Sequence, residues 1–131
     1  MTVIPGALRQ VGLGVRDLDR AVAFYEATLG LRLVARFGQL AFLDLGGVRL
    51  FLEEGDGEPA GSTLYLAVDD VHAARRHLEE RGVAFLDEPH VIFHDREGLF
   101  GPAGQDEWMT FFRDSEGNLL ALASRQPPAG P

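Results

Sequence analysis

Residues 15–33, VRDLDRAVAFYEATLGLRL, are echoed at residues 68–85, VDDVHAARRHLEERGVAF. Val15, Asp17, Leu18 and Ala21 match Val68, Asp70, Val71 and Ala74, 53 positions on. One position later in register, Gly30, Leu31 and Leu33 match Gly82, Val83 and Phe85. A chain that carries the same pattern twice is built from two related modules, and the pattern indicates what each module is.

Each copy is preceded by a stretch of alternating character, LRQVGLGV or STLYLAV. Val11, Leu13 and Val15 share one face of an extended strand, as do Leu64, Leu66 and Val68, and those faces belong under a helix. An Asp then stands where it can accept a hydrogen bond from a free backbone N–H, the position of an N-cap. Leu18, Ala21, Val22, Tyr25 and Leu29 make the buried stripe of the first helix, and Val71, Ala74 and Leu78 that of the second. Gly30 and Gly82 end them. Further β-rich segments follow, AFLDLGGVRLFLEE in one copy and WMTFFRDSEGNLLALAS in the other, each folded about a glycine-containing turn. The expected fold is α+β, two tandem βαβββ modules. The acidic, turn-rich stretch EEGDGEPAG joins them, giving a single domain with module one at 7–53, a linker at 54–61, module two at 62–125 and a loose tail at 126–131.

Composition narrows the function classes. The chain has 131 residues, 46% of them hydrophobic, with no apolar run near the ~20 residues a membrane-spanning helix needs. The opening MTVIPGALRQ lacks a signal peptide's basic start and apolar core, so a cytoplasmic location is expected. A formal charge of −8 repels phosphate backbones, and no basic patch suggests a nucleic-acid partner. With no cysteine, disulfides, thiolate zinc sites and thiol nucleophiles are excluded. The sequence VGLGVRD has Asp17 where a dinucleotide loop needs its third glycine.

The segments VGLGVRDLDRAVAFYEATLGL, VDDVHAARRHLEERGV and FRDSEGNLLAL together resemble the vicinal oxygen chelate superfamily, whose members include glyoxalase I, bleomycin and fosfomycin resistance proteins, epimerases and extradiol dioxygenases. The resemblance spans nearly the whole chain. It implies a concave mixed sheet, a homodimer and a small-molecule ligand. In metal-dependent members it also implies four ligands on concave strand faces, one near each end of each module. Strand parity places the first at Gln10, on the side opposite Val11, and the matching position 53 residues on at Thr63. Aligning GGVRLFL with GNLLALA sets Leu50 beside Ala121 as the other two, which leaves Arg49 on the packing side.

Of these, only Gln10 is a ligand type that the family uses, and leucine and alanine cannot coordinate. The surface is therefore expected to be an apolar cup without a metal or other cofactor, lined by Leu50, Leu52, Tyr65, Ala121 and Ala123, with Gln10 and Thr63 as its polar members. Whether the protein is an enzyme stays open. The alternative is a lyase, isomerase or dioxygenase with a divalent metal or an acid–base pair rebuilt from Gln10, His90, His94 and Glu107. His90 and His94 lie ~13 Å apart if their segment is extended, so a bend would be needed to bring His94 and Glu107 to Gln10. Trp108 follows a glycine-rich loop and is either a rim residue stacking on ligand or a core filler.

Overall fold

The computed structural model describes residues 10–56 and 62–128; residues 7–9 of module one, most of the expected linker and the end of the expected tail lie outside them. The protein is α+β, with two four-stranded mixed sheets. The described chain divides into two compact units, one holding residues 10–56 and the turn Ser115–Asn118, the other residues 62–114 and 119–128.

In unit 1, β1 (Gln10–Val15) leads through α1 (Leu18–Ala23) and a π-helical turn (Phe24–Thr28) to β2 (Arg32–Phe37), β3 (Leu40–Leu45) and β4 (Val48–Glu54). The sheet order is β1-β4-β3-β2, with β4 parallel to β1 and the other pairs antiparallel. Asp17 has extended backbone, and its carboxylate accepts from the Arg20 N–H at 3.0 Å, which starts α1. Gly30, at φ 81°, ends the helical segment in a conformation that other residues rarely adopt. Leu18, Ala21, Val22 and Tyr25 are buried, as are Leu13, Val15, Ala41, Leu43, Leu50 and Leu52 of the sheet, where α1 packs on β3 and β4. Removing a leucine side chain of that set from water contributes about 2 kcal/mol.

Unit 2 repeats the plan. β5 (Leu64–Ala67) leads to α2 (Val71–Glu80), then β6 (His90–Asp95), β7 (Gln105–Arg113) and β8 (Leu119–Gln126), in the order β5-β8-β7-β6. Asp70 caps α2 through the His72 N–H at 2.8 Å, and Gly82, at φ 93°, follows its end. The chain between α2 and β6 runs beside β7: Phe85 bridges Phe112, and the Asp87 carboxylate accepts from the Phe111 N–H at 3.0 Å and the buried Thr110 hydroxyl at 3.2 Å.

Strand register corrects one expectation from the sequence. Leu50 pairs with Val11 and Leu52 with Leu13, so both leucines face the helix and are fully buried. The side chains beside Gln10 and Gly12 on the other face are Arg49 and Phe51. The sequence alignment slipped by one residue because the modules close their last hairpins differently. Leu45 pairs with Val48 across two glycines, whereas Arg113 pairs with Leu119 across a longer turn. A one-residue slip exchanges the faces of a whole strand. The structural counterpart of Ala121 is thus Phe51. The helix caps follow the same register: the Leu18 N–H donates to Glu54 at 2.7 Å, and its counterpart Val71 donates to the hydroxyl of Ser124, the residue matching Glu54.

The turn residues of unit 1 hold a buried carboxylate paired with a half-exposed arginine. The Glu116 side chain is 1% exposed and bonds Arg20 Nε at 2.6 Å. Its Oε1 also accepts from the Arg16 and Asp17 N–H groups at 2.8 and 3.0 Å, ahead of α1. The hydrogen bond from Arg20 outweighs burial, and with the Asp17 and Arg16 N–H groups and the Ser115 hydroxyl it lowers the Glu116 carboxyl from 4.5 to about 2. The folded state therefore holds this proton less tightly than the unfolded state does. The stabilisation is complete above the ordinary carboxylate range and is lost as pH falls towards 2. Replacing Glu116 with Gln is expected to cost about 2–4 kcal/mol at neutral pH and to flatten the decline in stability between about pH 5 and pH 2. Urea unfolding across that range checks it, and an acid limb identical to that of the parent protein would contradict the assignment.

Candidate functional site

The cross-strand rows of unit 2 define what its second face presents. Tyr65, Ala121 and Phe111 form one row, and Ala67, Ala123, Met109 and His90 the next. The third is Arg125, Glu107 and Phe93. All lie opposite the helix-side residues Leu66, Leu120, Leu122 and Phe112, because side chains alternate along a strand. Two small residues of β8, Ala121 and Ala123, thus stand between larger side chains on both flanks. The Tyr65 and Phe111 rings meet edge to face at 6.4 Å, and Ala121 between them is fully buried. Ala123, Ala67 and Met109 retain exposure, and the Tyr65 side of the face is open, with that tyrosine 59% exposed. Thr63, partly exposed, immediately precedes β5. The result is a trough along β8 with Ala123 at its floor, the Tyr65–Phe111 contact over Ala121 at one end, Met109 as a wall and His90 at one border.

A charged group closes the far end. Arg125 Nη2 lies 2.7 Å from Asp95 Oδ2, and its Nη1 lies 3.5 Å from Glu107 Oε2. Asp95 is fully buried. Burial disfavours its charge, but the Phe100 and Leu99 N–H groups and Arg125 outweigh that, and its carboxyl is lowered to about 2. It is a fixed anion that holds Arg125, with Glu107 as the more loosely engaged carboxylate.

The structure separates the residues that the rebuilt metal site would have used. β6 has a register shift between Val91 and Phe93, so the strand gains an extra residue at Ile92. His90 pairs with Met109 on the trough face, whereas His94 pairs with Asp106 on the helix side. Without the bulge, residues four apart would share a face. His94 Nδ1 contacts Asp106 Oδ1 at 2.6 Å, which directs the ring away from Glu107. His94 and Glu107 therefore lie on opposite faces of the sheet, and His90 and His94 do not share a face. Trp108, for which the sequence leaves a rim and a core position open, lies on the helix side, its indole 4.8 Å from the His72 ring of α2.

The positions at which the family resemblance implies metal ligands do not fit a metal. Unit 1 presents Gln10 with Phe51 in place of the expected Leu50, and the Arg49 position beside Gln10 adds a cation. Phe51 stacks on Phe42 at 5.1 Å, and Phe42 meets Phe37 edge to face at 6.1 Å, so this face carries an aromatic row. Unit 2 presents Thr63 and Ala121. Among the described residues, no group of three or more His, Cys, Asp or Glu side chains is placed to hold a metal ion. Sequence reasoning found Tyr65, Ala121 and Ala123 but missed Phe111, Met109 and Arg125. Their odd-numbered spacing with Glu107 and Ala123 was visible, and only the register of β7 against β8 was needed to use it.

The family model for the glyoxalase/bleomycin resistance protein/dioxygenase superfamily matches residues 7–122. The uncharacterized protein YwbC of Bacillus subtilis (strain 168) is 27% identical over 117 residues, spanning 78% of this chain and 93% of that protein. Among solved structures, the lactoylglutathione lyase from Agrobacterium tumefaciens superposes with a TM-score of 0.72 at 23% identity, covering 92% of this chain and 94% of that one. A glyoxalase/bleomycin resistance protein/dioxygenase from Nocardioides gives 0.75 at 20% identity, covering 99% and 90%. At these identities the structural likenesses establish the fold and leave chemistry to the site itself.

The position of Trp108 has an optical consequence. Indole emission reports what covers the ring, and His72 lies against the only tryptophan. His72→Ala is expected to expose the indole and shift its emission to longer wavelength at neutral pH, and an unchanged spectrum in the variant would place the indole away from α2.

Proposed function

The chain belongs to the glyoxalase/bleomycin resistance protein/dioxygenase superfamily, and on that premise we propose that it binds a small, partly apolar molecule in the trough of unit 2, with no resident metal. The observation that carries this reading is the pairing of Tyr65, Ala121 and Phe111 in one row and Ala67, Ala123 and Met109 in the next. Small-ligand sites are mostly apolar with a few placed polar groups. Here the apolar part is the alanine floor between Phe111, Met109 and Tyr65, and the polar groups are His90, Thr63 and Glu107. The metal-free reading rests on donor chemistry: phenylalanine, threonine and alanine stand where an oxophilic or imidazole-bound cation would need ligands.

Binding is proposed to work by shape and polarity. An apolar ligand portion over Ala123 would exchange water for contact with Met109 and the edges of the aromatic walls, at roughly 25 cal/mol for each Å² covered. Glu107, the loosely held carboxylate at the trough's end, favours a neutral or cationic polar group over an anionic one. The proposal includes a homodimer in the cytoplasm, supported by the family likeness. No helix among the described residues is long and apolar enough to cross a membrane.

Nile red, a neutral dye whose emission rises in apolar surroundings, serves as the probe. The parent protein is expected to bind it saturably. Ala123→Phe, which fills the trough from its floor, is expected to weaken binding about tenfold, equivalent to 1.4 kcal/mol. Phe37→Ser, on an exposed position of unit 1, is expected to leave binding unchanged. Equal affinity in the Ala123 variant, with its thermal transition intact, would overturn the reading.

A further inference from the structure

The two most exposed large apolar side chains among the described residues are Phe100 at 74% and Leu99 at 66%, and they are neighbours in the segment that joins β6 to β7. Apolar side chains left in water at a loop tip do not stabilise the loop. The base of the segment, by contrast, is tightly held. Asp95 Oδ1 accepts from the Leu99 N–H at 2.8 Å and its Oδ2 from the Phe100 N–H at 2.9 Å. The Asp95 carbonyl accepts from the Gly104 N–H at 2.7 Å, and Arg125 Nη2 reaches the Pro102 carbonyl at 3.3 Å.

Two contacts show on which side of the sheet this segment lies. The Phe100 ring meets Phe93 edge to face at 5.8 Å, and a Cβ built on Gly101 would come within 2.7 Å of Arg125 Nε. Phe93 and Arg125 flank Glu107 in the trough-face row, so the segment stands over the charged end of the trough. Gly98 and Gly104, at φ 76° and 84°, bracket it in conformations that side chains disfavour. Arg125 Nε, sealed beneath Gly101, is buried without a hydrogen-bond partner. An orphaned donor penalises the seated position of the segment, because lifting it would admit water to the guanidinium.

We propose that residues 96–104 form a lid over the trough of unit 2, that Phe100 and Leu99 are the side chains that close on the ligand, and that the Asp95–Arg125 pair is the catch that sets the lid's resting position. The proposal rests on the trough being the binding site. It assigns a specificity role to residues outside the sheet: ligands long enough to pass Glu107 would gain apolar contact with the lid, and shorter ones would not. A tightly bonded base with an uncovered apolar tip is the arrangement expected of a segment that completes its packing only when a ligand is present.

The test uses Nile red with the full chain. Chymotrypsin should cut first after Leu99 or Phe100, and saturating dye should slow that cut about fivefold by holding the lid down. The double variant Leu99→Ser, Phe100→Ser should keep the parent's thermal transition and lose about tenfold in dye affinity. If Ala123→Phe abolishes binding while the double variant binds like the parent and dye gives no protection, the lid is overturned and the trough stands. If Ala123→Phe binds like the parent, the trough reading fails and the lid fails with it.

Discussion

Each unit has one helix for a four-stranded sheet, and a single helix can cover only one face of it. With side chains alternating along every strand, that constraint divides each sheet into a packed side and an open side. In unit 2 α2 packs on β7 and β8, and Val71, Leu78, Leu120, Leu122 and Phe112 on that side are all at most 6% exposed. The open side is what remains, and its composition is free to vary without cost to the core. That freedom is why one architecture serves unlike chemistries, and why family membership alone does not settle what this protein does.

The fold was legible because it depends on period and punctuation. The repeated Asp before an apolar stripe, the glycine after it and the alternating strands fixed the order of elements, and each cap formed as the residue types required. The open face was less legible because it depends on register, which no local pattern states. Leu50 was misplaced by one residue because the Gly46–Gly47 turn and the turn containing Gly117 differ in length. The extra residue at Ile92 broke the parity of His90 and His94, and bulges leave no reliable mark in a sequence of β-formers. Trp108 could not be assigned until β7 was paired with β8, which set it beside α2.

Two fixed carboxylates organise the turns and loops around these sheets. Glu116, through Arg20 and the N–H groups ahead of α1, secures the start of the first helix in unit 1. Asp95, through Arg125 and the N–H groups of its own loop, secures the end of the trough in unit 2. Both are removed from solvent and both stay ionised because donors surround them, so each fixes local geometry that the hydrophobic pattern leaves undetermined. The polarity of the open face follows: apart from Arg125, Glu107, His90 and Thr63, the trough relies on alanine, aromatic and thioether surface.

The central claim is that the open faces of the two units are apolar at the positions where the family resemblance implies metal ligands, with Phe51 at such a position in unit 1 and Ala121 in unit 2. The most direct measurement is elemental analysis of the untagged protein after gel filtration, purified with neither added metal nor chelator. The account predicts divalent metal far below one equivalent per chain. Metal near one equivalent, retained through gel filtration, would contradict it and would show that the chain assembles a coordination site from residues other than these.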